Sequence, residues 1–104
     1  MTMIGIPKTA AAGDIVDVKL LISHPMETGF RADFHGKKIP RDIITEVRCH
    51  YRNELVFRAE FFPAISANPF LAFTFRAVES GPVTLSWNDM HGNEYHEVRQ
   101  ITVT

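Results

Sequence analysis

The sequence predicts an all-β fold, an immunoglobulin-like antiparallel β-sandwich of about seven strands. Three observations lead there. Apolar and polar residues alternate over several separate stretches, clusters of turn-forming residues punctuate those stretches at regular spacing, and no stretch keeps a convincing helical period. A closed barrel would alternate in the same way, and periodicity by itself does not separate the two; the sandwich is the preferred reading. At 104 residues the chain fits one domain, residues 1–104, with a single core.

An edge segment near Thr2 to Ile6 opens the chain, and Gly13-Asp14 punctuates the start of the first clear strand. There Val16, Val18, Leu20 and Ile22 share one face while Asp17 and Lys19 take the other, the period of two expected of a half-buried strand. A long loop follows, and alternation resumes after Ile39-Pro40. From Ile43 to Arg52, Ile43, Thr45, Val47, Cys49 and Tyr51 fall opposite Ile44, Glu46, Arg48, His50 and Arg52. Leu55, Phe57, Ala59 and Phe61 share the next face, so a β-hairpin is expected around Arg52-Asn53-Glu54. Pro63 is expected to end it, and the connection from Ala64 to Pro69 delivers Phe70 into a strand with Leu71, Phe73, Phe75 and Ala77 on one side. Glu79-Ser80-Gly81-Pro82 is a strong turn signal. Val83, Leu85 and Trp87 mark the following strand, and Asp89 to Asn93 turn the chain into a last one that ends with Val98 to Val103. Its phase is ambiguous, because Ile101 and Val103 agree with each other but not with Val98.

A net charge of −1, with charges of both signs interspersed, gives no reason to expect nucleic acid or an anionic membrane as partner. No apolar run approaches the about 20 residues of a membrane span, so a soluble protein is expected. The first 13 residues lack the pattern of a signal peptide, which taken alone predicts a cytoplasmic protein. A lone cysteine, Cys49, cannot build an internal disulfide framework. It lies on the apolar phase of its strand, where a packed, inert thiol is expected.

The residues offer little for catalysis. No metal-binding spacing is present; His91 and His96 flank a turn that could bring two imidazoles together, and no cofactor or metal site is assigned. Glu27 and Asp33 could act as an acid/base pair only if their loop folds back on itself. No nucleophile–base arrangement or Gly-rich phosphate cradle is legible, and the chain is not read as an enzyme. The alternative reading is a small metal-binding protein or enzyme using His24, Glu27 and His35.

The anchor-rich segments are two: the loop from His24 to Lys38 and the connection Ser66-Ala67-Asn68-Pro69-Phe70. Apolar anchors beside orientation-specific charges are the mixture found in interface cores and rims. His24, Met26, Glu27, Phe30, Arg31, Asp33, Asn68, Pro69 and Phe70 are therefore the candidate partner-binding residues, with Phe34 as a further anchor.

Those residues carry a resemblance. His24-Pro25-Met26-Glu27-Thr28-Gly29 with Arg31, Asp33, Gly36, Lys37 and Ile39-Pro40, then Ser66-x-Asn68-Pro69-Phe70, Phe73-x-Phe75 and Leu85-Ser86-Trp87, resemble the SoxZ family. His91 and His96 depart from the family pattern. The resemblance implies an immunoglobulin-like sandwich that pairs with SoxY in a carrier complex of thiosulfate and sulfur oxidation and makes transient contacts with the enzymes of that oxidation. It also implies a periplasmic location, reached by export with a signal-bearing partner, in place of the cytoplasmic expectation. In that family the sulfur rides on a cysteine in a Gly-rich arm of SoxY; this chain ends Arg99-Gln100-Ile101-Thr102-Val103-Thr104, without Gly or Cys.

Overall fold

The computed structural model describes residues 2–62 and 65–104. The expected stop at Pro63 and the start of the connection at Ala64 lie outside the described residues. The strands are β1 (Thr2–Gly5), β2 (Thr9–Ala10), β3 (Ile15–Ile22), β4 (Ile44–Tyr51), β5 (Glu54–Glu60), β6 (Phe70–Arg76), β7 (Gly81–Asp89) and β8 (Glu94–Val103). They form two sheets, a three-stranded one in the order β1-β3-β6 and a five-stranded one in the order β2-β8-β7-β4-β5. Every pairing is antiparallel except the two-residue parallel contact of β2 with β8.

The inner faces follow from the alternation. Val16, Val18, Leu20 and Ile22 of β3 meet Val47 and Cys49 of β4 and Val83, Leu85 and Trp87 of β7 in one buried cluster. Aromatic rings bridge the two sheets: Phe57 stacks on Phe73 at 4.1 Å and Tyr51 lies 4.6 Å from Phe75. The outer face of the five-stranded sheet is an ion-pair lattice, in which Arg58 binds Glu46 at 2.7 Å and Glu60 at 2.6 Å, and Arg48 binds Glu46 and Glu94. Hydrogen bonds from Arg48 and Arg58 hold the Glu46 carboxyl below its ordinary range.

Two irregularities correct the expected phases. The β4–β7 register shifts between Ile44 and Glu46, so Ile43 and Ile44 are both buried rather than facing opposite ways. The β4–β5 register shifts where Val56 is inserted opposite Cys49 and His50; Val56 and Phe57 both reach the core and Leu55 is left 53% exposed. In β8 the ambiguity resolves with Ile101 buried and Val98 exposed.

All strand ends gather at two poles. At one, Arg52 and Asn53 (φ 51° and 69°) make a two-residue hairpin turn, and the Tyr51 hydroxyl accepts hydrogen bonds from the Val78 and Glu79 N–H groups at 3.1 and 3.0 Å. At the other pole lie the long β3–β4 loop, the β5–β6 connection and the β7–β8 turn.

Candidate functional site

The long loop is fastened at its base by residues expected to meet a partner. Met26 has φ 51° and is buried at 4% exposure; its Sδ accepts a hydrogen bond from the Ile44 N–H at 3.3 Å. Met26, expected as an apolar partner anchor, packs inward instead, because in a left-handed turn its flexible thioether points into the core. His24 and Asn68 hold the loop to the β5–β6 connection. The Asn68 N–H donates to the His24 carbonyl at 2.7 Å, and the His24 N–H donates to Asn68 Oδ1 at 2.9 Å. Pro69 is buried, and its carbonyl accepts from the Ile22 N–H at 3.0 Å. The Glu27 main chain exchanges hydrogen bonds with that of Asp42 at 2.8 and 2.9 Å.

Beyond this base the chain forms a small hairpin, here called the finger. The Ile39 N–H donates to the Arg31 carbonyl at 2.8 Å and the Asp33 N–H to the Lys37 carbonyl at 2.8 Å. Asp33 Oδ1 accepts from the His35 and Lys37 N–H groups at 2.9 and 3.0 Å, so its carboxylate shapes the tip. Glu27 makes a two-point contact with Arg31, at 3.2 and 2.5 Å, and this hydrogen bonding holds its carboxyl below the ordinary range. Glu27 and Asp33 are thus spent separately and do not pair as acid and base. Gly29 (φ 90°) sits where an added Cβ would come 3.3 Å from Arg41 Cβ. That close approach sets Arg41 Nε 2.9 Å from the Thr28 carbonyl and its guanidinium 6.0 Å above the Phe30 ring. Phe30 is 75% exposed, and Phe34 at the tip is 93% exposed.

Behind the finger lies an open cleft of about 440 Å³ lined by His24, Asp42, Trp87, His91, Asn93 and Tyr95. The Nε2 atoms of His24 and His91 both stand 3.5 Å from Asp42 Oδ1. The Met26 N–H donates to His24 Nδ1 at 3.0 Å, which leaves the imidazole proton on Nε2, facing Asp42. Asp89 organises the neighbouring turn: its Oδ1 accepts from the His91 and Asn93 N–H groups at 2.9 and 3.0 Å. Burial pushes its carboxyl upward, but the hydrogen bonds from Asn93 and His91 outweigh that and bring it below 3.8.

The residues of the alternative reading stay apart: His24 faces Asp42, Glu27 faces Arg31, and His35 packs on Phe34 at 4.0 Å. His91 likewise meets Asp42 rather than His96, which lies on β8 opposite Ser86. Among the described residues no three His, Cys, Asp or Glu side chains form a metal-holding group. Asp42, His91 and Tyr95 were not legible as neighbours of His24, because the two ends of the β3–β4 loop meet the β7–β8 hairpin only in the folded chain and no spacing encodes that. Cys49 is fully buried, and burial pushes its thiol up to about 12.

The family model described as "Sulphur oxidation protein SoxZ" matches residues 4–100. The chain belongs to the SoxZ family. The match takes in the finger, its anchors and the cleft, and gives this SoxZ chain a role among sulfur-oxidation proteins. No curated protein sequence matches it. Among solved structures, superoxide reductase (neelaredoxin) from Ignicoccus hospitalis is similar at TM-score 0.73 and 14% identity, over 99% of this chain and 80% of that one. A putative superoxide reductase from Thermotoga maritima reaches TM-score 0.74 at 14% identity, over 99% and 85%. The sulfur carrier protein SoxY from Chlorobium limicola f thiosulfatophilum reaches 0.68 at 19% identity, over 99% and 78%. These are likenesses of fold, and they agree with the SoxZ chain being an all-β sandwich. No helix among the described residues is long and apolar enough to cross a membrane.

Proposed function

We propose that this SoxZ-family chain is the non-catalytic subunit of a SoxYZ-type carrier pair in thiosulfate and sulfur oxidation. It binds a SoxY-type subunit and helps present that subunit's cysteine-bound sulfur intermediates to the enzymes that act on them. The observation that carries this reading is the burial of Cys49, the chain's one thiol. A thiol without access and held protonated cannot accept or pass on sulfur, so a sulfur-oxidation protein of this kind needs a partner's thiol. In this reading the pair works in the periplasm, exported together with the signal-bearing partner.

The outer face of the three-stranded sheet offers a surface for a permanent subunit. Met3, Leu21 and Phe70 stand side by side across β1, β3 and β6 in one outward row, with Met3 57% and Phe70 59% exposed. Gly5 and Ala72 continue the next row beside Lys19, leaving a shallow apolar groove with one charge. An apolar, charge-poor strip is what lasting subunit interfaces present.

Co-expression with a SoxY-type subunit, followed by calorimetric titration of the separated chains, tests the reading. A one-to-one complex is expected, with Phe70→Ala weakening it about tenfold, as for an interface anchor, while leaving the melting temperature of the free chain unchanged. Absence of any complex sinks the proposed function; an unchanged dissociation constant in Phe70→Ala removes the strip from the interface.

A further inference from the structure

The finger has a different character from the apolar strip. Residues 30–41 hold Arg31, Lys37, Lys38 and Arg41 against one acidic residue, Asp33, in a chain whose total is −1, so the remainder of the chain is net acidic. Of those four cations only Arg31 is in an ion pair among the described residues. Asp33 forms no ion pair with them among the described residues, its Oδ1 instead accepting from the backbone of the tip, and its single charge leaves the segment net positive. The contrast with the opposite sheet face is direct: there Arg48 and Arg58 are matched by Glu46, Glu60 and Glu94.

Lys37, Lys38 and Arg41 thus flank Phe30 and Phe34, two exposed rings on a hairpin already ordered by its own hydrogen bonds. Pre-ordering lowers the entropy cost of docking, exposed aromatics supply the anchor, and unmatched cations supply attraction at a distance. We infer that the finger docks an acidic protein surface with an apolar recess for Phe34, on a transient partner other than the permanent carrier subunit. The inference rests on the function proposed above, in which the pair must visit other proteins.

Charge placement selects a protein over other anionic partners. A nucleic acid or a flat anionic membrane presents negative charge over a wide area and would also meet the net acidic remainder of the chain. A protein surface can confine its negative charge to the footprint of the finger. Such confined complementarity speeds encounter without requiring a long-lived complex, which suits a partner that must be released.

The test places the photo-reactive residue benzoylphenylalanine at position 34 of the chain, co-expressed with its carrier subunit in cells growing on thiosulfate. Adducts are then mapped by peptide mass spectrometry. The expected adduct joins position 34 to an acidic segment of a third protein, and its yield falls on the order of tenfold when the chain also carries Lys37→Glu and Lys38→Glu. A thermal melt of the doubly substituted chain, unchanged from the parent, shows that the loss is not unfolding. The inference is overturned by an adduct on the carrier subunit, on lipid or on nucleic acid, by an adduct segment without acidic excess, by no adduct, or by a yield indifferent to the charge reversal. Co-purification of the carrier subunit is followed in the same preparations: its loss indicts the proposed function, whereas intact co-purification with failed cross-linking indicts the finger alone.

Discussion

At the pole carrying the 52–53 turn, the chain reverses through Arg52 and Asn53, and the neighbouring 78–80 segment is pinned to the Tyr51 hydroxyl and, through Ser80 Oγ, to the Val103 N–H at 2.7 Å. At the other pole the link between β3 and β4 runs from Ser23 to Ile43 and projects Phe30 and Phe34 into solvent. Both poles depend on one buried side chain that holds backbone from a distant segment: Tyr51 binds Val78 and Glu79, and Met26 binds Ile44. The difference lies in what is hung from that hub. The tight pole spends its polar groups on closing the sandwich. The loop pole closes the sandwich with Met26, His24 and Asn68 and leaves the Phe30 and Phe34 rings exposed for contact.

Met26→Ala is the sharpest way to break this comparison. Removing a buried Met side chain costs about 2–5 kcal/mol, and it also withdraws the sulfur from the Ile44 N–H. Chemical denaturation should show a loss in that range; a variant as stable as the parent would mean that Met26 is not the hub of its pole. Tyr51→Phe at the tight pole should cost less, about 1–3 kcal/mol, by leaving the Val78 and Glu79 N–H groups without their acceptor. Equal losses from the two substitutions would erase the distinction between a packing hub and a hydrogen-bonding hub.

Acid titration distinguishes the poles more gently. The Asp89 carboxyl is lowered by folding, so its contribution to stability is full above its ordinary 3.8 and disappears as pH falls through the folded value. Melts recorded from pH 5 down to about pH 2 should lose that increment in the parent but not in Asp89→Asn, which retains an acceptor without the titration. Parallel curves for the two proteins would contradict the assignment. Phe34→Ala should have the smallest effect, within about 0.5 kcal/mol of the parent, as for an exposed residue. A larger loss would mean that the tip packs against the body of the domain.

Much of the fold was legible because β3, β6 and β7 each bury one face, and a period of two survives in such strands. The insertions at Thr45 and Val56 were not, since a bulge shifts phase without any residue type that announces it; Leu55 went to the wrong face for that reason. The two-residue β2 is too short to leave a pattern. At the site, the loop itself was legible from Pro25, Gly29 and Gly36, but the inward turn of Met26 was not, because a left-handed backbone at a methionine has no sequence signal. The meeting of His24, Asp42 and His91 depends on two loops far apart in sequence and escaped for the same reason that any tertiary contact does.

The lattice around Arg58 has a consequence for what the domain can join. β5 is an outermost strand, and a neighbouring chain seeking to extend the sheet there would have to settle beside Glu54, Arg58 and Glu60 and match a backbone interrupted at Val56. Alternating charges and a broken repeat make that border a poor template for fibril growth or strand addition. The five-stranded sheet is thereby sealed along β5, so that association along this border is discouraged and any partner approaching it must recognise side chains rather than continue its backbone.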